Sequence, residues 1–534
     1  MKRFLATVAI GALLVSAAPG QRGALAETPA DQLVVAFNMS NVLTMDPAAI
    51  TGGETVQILN NVYDSLVSLN PETLALEPRL AESWEIAPDN MSVTFHLRKD
   101  VTFASGNPLT AEDVAYSLKR LLKLSQAQAS MLTSRGFDAE QADAQFVAKD
   151  EHTFVLTLPA PDDPKLIMMV LAEAGRGSIL DSKLVQENET DGDMGAAFLT
   201  NNSAGSGAYT LNNWRANEYV ILTRNDAFWG DTPEMKRVLM RHLPESQTQR
   251  LGLEQGDIDV GFSLAAPDLR GLEKNEQITV ESVPSAGFYY LAVSMKDERY
   301  ADPKVREALR YLIDYDGING AIMPYFGVKR QQPINSYVFA ALPDPGYALD
   351  VEKAKALLAE AGYPDGFETT LRVISTQEFL DSATAIQATL AQAGIKAEII
   401  TGDGGQIYGA MRERSFELLV GRGGGGQQPH PDSNLRAMAY NPDNSDEAKL
   451  TNYQNWRTSF FDEALNGMIE SALVEPDADK QATMYEDIQR KMEELVMSIQ
   501  PFSERVVTAA YQSDVHGVVV DPWTSRFEDV TKER

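Results

Sequence analysis

The chain contains no cysteine. That excludes disulfides, thiolate metal sites and a lipid-modified cysteine behind an export signal. Histidine is scarce: His96, His152, His242, His430 and His516 are scattered, and no pair falls at zinc-ligand spacing. Positive charge is also short. The 46 Lys and Arg residues face 76 Asp and Glu, a net charge of −30, and such a surface repels nucleic acid and anionic lipid. Common catalytic motifs are missing as well. Gly423 to Gly426 is a run of four glycines, but Gln427 and Gln428 follow it where a phosphate-binding loop needs Lys and Ser or Thr. The stretch Ala204 to Ala208 lacks the third glycine of a dinucleotide fingerprint. HExxH, GxSxG and EF-hand patterns do not occur. The sequence therefore assigns no catalytic residue, no metal ligand and no cofactor. Paired acids that meet only in space would escape this search, so an exported hydrolase of peptides or glycosides stands as the alternative.

Long apolar runs are absent after the first 26 residues. Within them, Lys2 and Arg3 precede a nearly unbroken apolar stretch from Phe4 to Ala18, and Ala24-Leu25-Ala26 offers the small residues that a signal peptidase reads. The stretch is too short to span a bilayer and has the three-part form of a secretory signal, with cleavage expected before Glu27. Its removal takes away Lys2, Arg3 and Arg22 and no acid, which moves the net charge from −30 to −33. A mature chain of this size can bury enough apolar surface to fold without disulfides. The length of 534 residues suggests two to four domains.

Periodicity gives an α/β rhythm. Strands are expected at Gln32–Phe37, Ala81–Ile86, Met91–Leu97, Thr153–Leu158, Ala208–Trp214, Tyr219–Arg224, from Phe288, and at Thr369–Ser375 and Lys396–Ile400. Helices are expected at Thr110–Leu124, from Pro303 after an Asp302 cap, at Ser382–Gly394, Phe461–Leu473 and Ala478–Met497. The segment DVEKAKALLAEAGYPDGF, from Asp350 to Phe367, reads as a capped helix. Asp350 caps it, Val351, Ala354, Leu357, Leu358 and Ala361 form its apolar stripe, and Gly362 and Pro364 end it.

That segment also resembles a signature of the family 5 (peptide, nickel and opine type) solute-binding proteins of ABC importers. Other strings resemble the same family in the same order. They are Leu43-Thr44-Met45-Asp46-Pro47, Val62 to Val67 (VYDSLV), Pro78 to Trp84 (PRLAESW), and the run from Phe95 to Val114 that contains LRKDVTFASGNPLTAEDV. Gly205 to Tyr209 (GSGAY), Arg224 to Trp229 (RNDAFW), Gly256 to Asp259 (GDID) and Val305 to Leu309 (VREAL) follow. The resemblance covers nearly the whole mature chain. It implies an α/β, two-lobed periplasmic-binding-protein-like fold of the cluster C type, with an extra N-terminal subdomain. Residues 27–282 plus 507–534 would form lobe I, with a subdomain inserted at about 64–203, and residues 283–506 would form lobe II. The implied function is a periplasmic receptor, not an enzyme and not a lipoprotein. It would close on a small ligand (a peptide, an opine or a sugar conjugate) and deliver it as a monomer to permease subunits in the inner membrane. ATP hydrolysis would belong to other subunits.

Arg79, Trp84, Asp113 and Trp229 read as scaffold. The candidate ligand residues are Asn38 and Ser40 after the first strand, Arg422, Gln427 and His430 in the loop GRGGGGQQPHPDSN, and Trp456. In peptide-binding relatives that loop carries an aspartate that grips the ligand's amino group. The corresponding position here falls near Gln427, and the loop's tryptophan is missing. A neutral amide argues against an ordinary di- or tripeptide with a free N-terminus and suits hydroxyl- or amide-bearing ligands.

Overall fold

The computed structural model describes residues 28–425, 428–521 and 523–534. The expected export signal and its cleavage position lie outside the described residues, and so does Gln427. None of the described helices is long and apolar enough to cross a membrane.

One sheet of eleven strands organises the described chain. At its first end, Gln32–Phe37 runs parallel to both Arg237–His242 and Val260–Gly261. A parallel strand is covered on both faces, which is why QLVVAF is continuously apolar and why Leu33 to Phe37 are at most 3 % exposed. The hairpin Tyr209–Arg215 and Tyr219–Arg224 extends this end, paired to Arg237–His242. At the opposite end Glu368–Ile374 lies parallel between Lys396–Gly402 and Leu418–Gly423. The helices Pro303–Tyr311, Val351–Glu360 and Gln377–Gln392 pack on it around Leu371, Val373, Leu309, Leu358 and Ile386. The caps form as the sequence predicts: Asp302 accepts the N–H of Lys304 (2.8 Å), Asp350 that of Lys353 (2.9 Å), and Gly362 has φ +91°.

Two long strands join the two ends. Ile278–Val293 and Ile499–Gln512 pair antiparallel along almost their entire length. The ladder is interrupted between Pro284, opposite Val506, and Phe288, opposite Glu504. Proline lacks the N–H, and Gly287 has φ +108°, so the interruption follows from the residues in that stretch. The sequence places a strand only from Phe288. The structure starts it ten residues earlier, because Pro284 and Gly287 look like strand breakers and here sit at a bulge.

A separate four-stranded antiparallel sheet, Ala81–Ile86, Ser92–Leu97, Thr153–Thr157 and Phe146–Asp150, has its own core beneath the helix Ala111–Leu124. Val93, Phe95 and Leu97 alternate inward, against Val114, Leu118, Leu121 and Leu122. The helix starts with a capping box, in which the Thr110 N–H donates to Asp113 Oδ2 at 2.9 Å.

The acids of the resemblance motifs act as fasteners. Asp46 takes a two-pronged bond from Arg120 (2.8 and 2.7 Å). Asp259 receives Lys532 at 2.7 Å and ties the chain's end to the first strand. Asp64 is fully buried and accepts from Arg79 (2.7 Å), Ser206 (2.8 Å) and Trp229 (3.0 Å). Burial opposes its charge, but Arg79 and Arg526 outweigh that and hold its carboxyl below the ordinary value. Gly205 must be small here, since a Cβ would meet Val62 O at 2.0 Å. Asp64→Asn should lower stability at pH 7 by about 3 kcal/mol, because it leaves buried cations poorly paired. A carboxyl depressed on folding stabilises above its unfolded value and loses that effect as pH falls, so the difference should shrink below about pH 4. Thermal midpoints of both proteins across pH 3–8 test this.

Candidate functional site

A cavity of about 280 Å³ lies against the two long strands, with walls from both ends of the sheet. Phe37, Glu54 and Phe262 to Leu264 come from the first end. Tyr289 and Arg422 come from the second, and Arg505 to Thr508 form the strand between them. Trp523 of the C-terminal segment closes one side. A larger depression of about 380 Å³ between Leu253 and Arg534 is lined from the first end and from the neighbouring tips of the long strands, so it touches no residue of the second end.

Alternation along Ile278–Val293 decides which tyrosine faces the cavity. Tyr289 lines it, whereas Tyr290 is fully buried on the other face, beside Ile407 and Met411. The Arg422 guanidinium lies over the rings of Tyr289 and Phe379, and its Nη1 donates to the Tyr289 hydroxyl at 3.4 Å. Arg505 also lines the cavity and donates to Ser285 Oγ at 3.2 Å. Burial, and after it the positive charge of Arg422, pulls the Arg505 guanidinium below its usual range. Among the described residues neither arginine forms an ion pair with a carboxylate.

Beyond Trp523 lie an enclosed space of about 20 Å³ and a more open one of about 490 Å³, both lined by Tyr337 and Asp521. Burial pushes the Asp521 carboxyl up to about 6, helped by the neighbouring charge of Glu173. Glu173 is itself buried, paired with Arg176 at 2.6 Å and hydrogen-bonded by Gln428 at 2.6 Å.

The sequence candidates scatter. Arg422 is in the cavity wall. Asn38 and Ser40 are exposed at its rim and bond each other, the Ser40 N–H donating to Asn38 Oδ1 at 3.0 Å, while the Asn38 N–H donates to Ser263 Oγ. Gln427 lies outside the described residues. His430 and Trp456 are placed away from the cavity, contrary to expectation. The His430 ring is 1 % exposed, and its Nδ1 accepts the Asp432 N–H at 3.1 Å as a helix cap. That leaves Nε2 to donate to Asp163 Oδ2 at 3.2 Å, so no face remains for an anion. Trp456 is 3 % exposed, donates to Ser445 O at 2.8 Å and is covered by Arg414. The glycine run has a packing role too: a Cβ at Gly424 would meet Met438 Sδ at 1.7 Å, and one at Gly425 would meet Gly287 N at 2.3 Å. The sequence reading passed over Arg505, Asp521 and Trp523. Two of them sit in VVVDPWT, where an acid directly after an apolar run and before an aromatic was the available signal.

His430 belongs to a set of contacts that joins the four-stranded unit to the second end of the sheet. Arg135 spans Asp162 (2.7 Å) and Asp432 (3.2 Å), Asp163 also accepts from Gln481 (2.9 Å), and Gln428 reaches Glu173.

The comparisons with known proteins agree with this geometry. The profile of the bacterial extracellular solute-binding proteins, family 5 Middle, matches residues 75–446. This chain belongs to that family. It is 27% identical over 516 residues, 93% of each chain, to the Probable D,D-dipeptide-binding periplasmic protein DdpA of Escherichia coli K12. HbpA2 from Haemophilus parasuis shares the fold, with a TM-score of 0.80 at 24% identity over 94% of this chain and all of that one. DppA from Helicobacter pylori, solved with the peptide STSA, matches with a TM-score of 0.73 at 25% identity over 94% of this chain and 98% of that one. The family 5 chain described here is thus a solute-binding protein with the mixed α/β, two-lobed periplasmic-binding-protein fold.

Two outcomes follow from the site. Arg135→Ala should enlarge the radius of gyration of the ligand-free family 5 protein in small-angle scattering, because it removes the charged strut between Asp162 and Asp432. An unchanged scattering curve would refute the strut. For Asp521, a carboxyl raised on folding binds its proton more tightly when folded, so stability declines as pH rises from about 4 through about 6. Asp521→Asn should therefore be more stable than the parent at pH 8, by on the order of 1–3 kcal/mol, and equal to it near pH 3. Thermal melts at both pH values check this.

Proposed function

We propose that this protein is a periplasmic receptor that captures a peptide-like or other small polar solute between two lobes and hands it, chemically intact, to an ABC permease in the inner membrane. The observation that carries this reading is the cavity whose walls come from both ends of the sheet and from the strand between them. A ligand that touches both lobes binds the closed form more tightly and shifts the population toward it. The relatives' descriptions, a D,D-dipeptide-binding protein and a structure solved with the peptide STSA, favour peptide-like chemistry. The absence of catalytic motifs from the sequence fits a binding role without turnover. The reading includes an export signal removed before Glu27 and a monomeric mature chain.

The lobes are proposed as residues 27–282 with 507–534, carrying the inserted subdomain at about 64–203, and residues 283–506. In support of these boundaries, Val283 is the register partner of Val507, and the break in the ladder begins at the next pair. Asn38 and Ser40 at the rim and Gln427 in the glycine loop remain proposed ligand contacts beside Arg422.

A thermal-shift screen of dipeptides, oligopeptides, opines and sugar conjugates tests the reading, because a ligand at 100 times its Kd stabilises by about 2.7 kcal/mol. A hit should also shrink the radius of gyration and be recovered unaltered after prolonged incubation. A hit recovered cleaved would favour the hydrolase instead.

A further inference from the structure

The four-stranded unit has a core of its own, yet several of its polar groups are spent outside it. Its helix Pro164–Leu171 is set in that core by Ile167, Met168, Val170 and Leu171. Acids stand at both ends of this helix, Asp162 and Asp163 before it and Glu173 after it. Two of these acids divide their oxygens. Asp163 Oδ1 caps the helix by accepting the Lys165 N–H at 2.8 Å, while Oδ2 accepts from His430 at 3.2 Å and from Gln481 at 2.9 Å. Glu173 Oε2 pairs with Arg176 at 2.6 Å, while Oε1 accepts from Gln428 at 2.6 Å. One oxygen of each serves the unit, and the other reaches toward the second end of the large sheet.

The receiving segment answers at alternate residues. Gln428, His430 and Asp432 are each at most 2 % exposed, and Asp432 takes Nη2 of Arg135 from the unit at 3.2 Å. His430 is extended (φ −131°, ψ 136°), a conformation in which neighbouring side chains point to opposite sides. From this segment a line of close packing runs to the cleft. His430 caps the helix Pro431–Met438. Met438, in its last turn, occupies the space that a Cβ at Gly424 would need. Gly424 follows shortly after Arg422, which lines the cleft cavity. Close-packed interiors transmit small displacements, so a shift of this helix moves the strand end that carries Arg422.

We propose that the inserted four-stranded unit is a clasp for solute capture, and that Glu173 is a positioning residue which, through Gln428, holds the helix Pro431–Met438, and with it Arg422, in place at the cleft. This rests on the receptor reading above and gives the unit a part in it. In the lobe division proposed there, the unit travels with the first lobe and residues 428–432 with the second, so the clasp is made only while the lobes lie together. A polar group left buried without its partner is costly, which ties these contacts to one another and to closure. Solute affinity then depends on Glu173, a residue that does not line the cleft cavity.

Hydrogen exchange of the ligand-free mature protein tests the clasp. The first variant is Gln428→Glu, which sets a carboxylate against Glu173 and leaves the unit's own residues intact. Amide exchange at residues 432–438 should rise at least tenfold, while residues 371–373 and 418–420 keep their parental rates. Adding Glu173→Gln to Gln428→Glu restores an amide–carboxylate pair and should bring the exchange back toward the parent, whereas two independent structural losses would add. Unchanged circular dichroism and melting cooperativity show that the variants are folded. Parental exchange in Gln428→Glu, or no recovery in the double variant, overturns the clasp. The second arm is isothermal titration with each dipeptide, oligopeptide, opine or sugar conjugate that raises the parent's melting temperature. Affinity should fall at least tenfold in Gln428→Glu and recover in the double variant. Affinity indifferent to both changes overturns the positioning role of Glu173 and leaves the receptor reading standing. If none of these solutes binds the parent, the receptor reading fails, and the exchange rates still decide the clasp.

Discussion

The antiparallel pairing of Ile278–Val293 with Ile499–Gln512 is the constraint on which the rest of the structure depends. These strands belong to both ends of one sheet, so each end inherits its position from the same ladder. A bulge at Pro284–Gly287 interrupts that ladder where the walls of the cavity meet. A continuous ladder would hold the two ends rigidly, and a flexible tether would hold them in no fixed relation. A paired crossing with its two irregularities close together, at Pro284–Phe288 and Tyr289–Tyr290, permits bending about a narrow region while register is kept on both sides.

The chemistry of the cleft follows from that crossing. Strand alternation sends Tyr289 into the cavity and Tyr290 into the core. The same geometry brings Arg505, on the partner strand, to the floor of the cavity beside Arg422 from the neighbouring strand. Gly424 and Gly425 fit this arrangement, since they lie against Met438 and Gly287 with no space for side chains. The loop is therefore held to the crossing by close packing.

Local structure was legible in the sequence where one residue decides it. The Asp302 and Asp350 caps and the glycine stop at Gly362 each depend on short-range chemistry, and each forms. The first half of the long strand was not legible, because Pro284 and Gly287 are tolerated only through pairing with residues more than 200 positions away. The site followed the same rule. Arg422, singled out from its loop, lines the cavity. His430 follows a glycine-rich segment and Trp456 is an aromatic ahead of a late helix, and what buries them, Asp163 in one case and Arg414 with Ser445 in the other, comes from elsewhere in the chain. Arg505 and Asp521 carry no motif, and only the fold brings them into the walls of two cavities that share Trp523. The framework acids Asp46, Asp64 and Asp259 lie in the strings that most resemble the family, and all three are spent on ion pairs that hold the fold together. The recognisable letters thus mark the chassis.

Closure sets two groups of charges against each other. The struts, Arg135 with Asp432 and His430 with Asp163, join the four-stranded unit to the second end of the sheet, and so favour the form in which the two lie together. At the floor of the cavity the like charges of Arg422 and Arg505 and the buried carboxyl of Asp521 are electrostatically unfavourable. Moving a population from 1:99 to 99:1 takes about 5.5 kcal/mol of differential affinity, and a balance of opposed terms keeps that requirement within the reach of a small ligand. A solute that neutralises the floor removes the opposing term and leaves the struts to act.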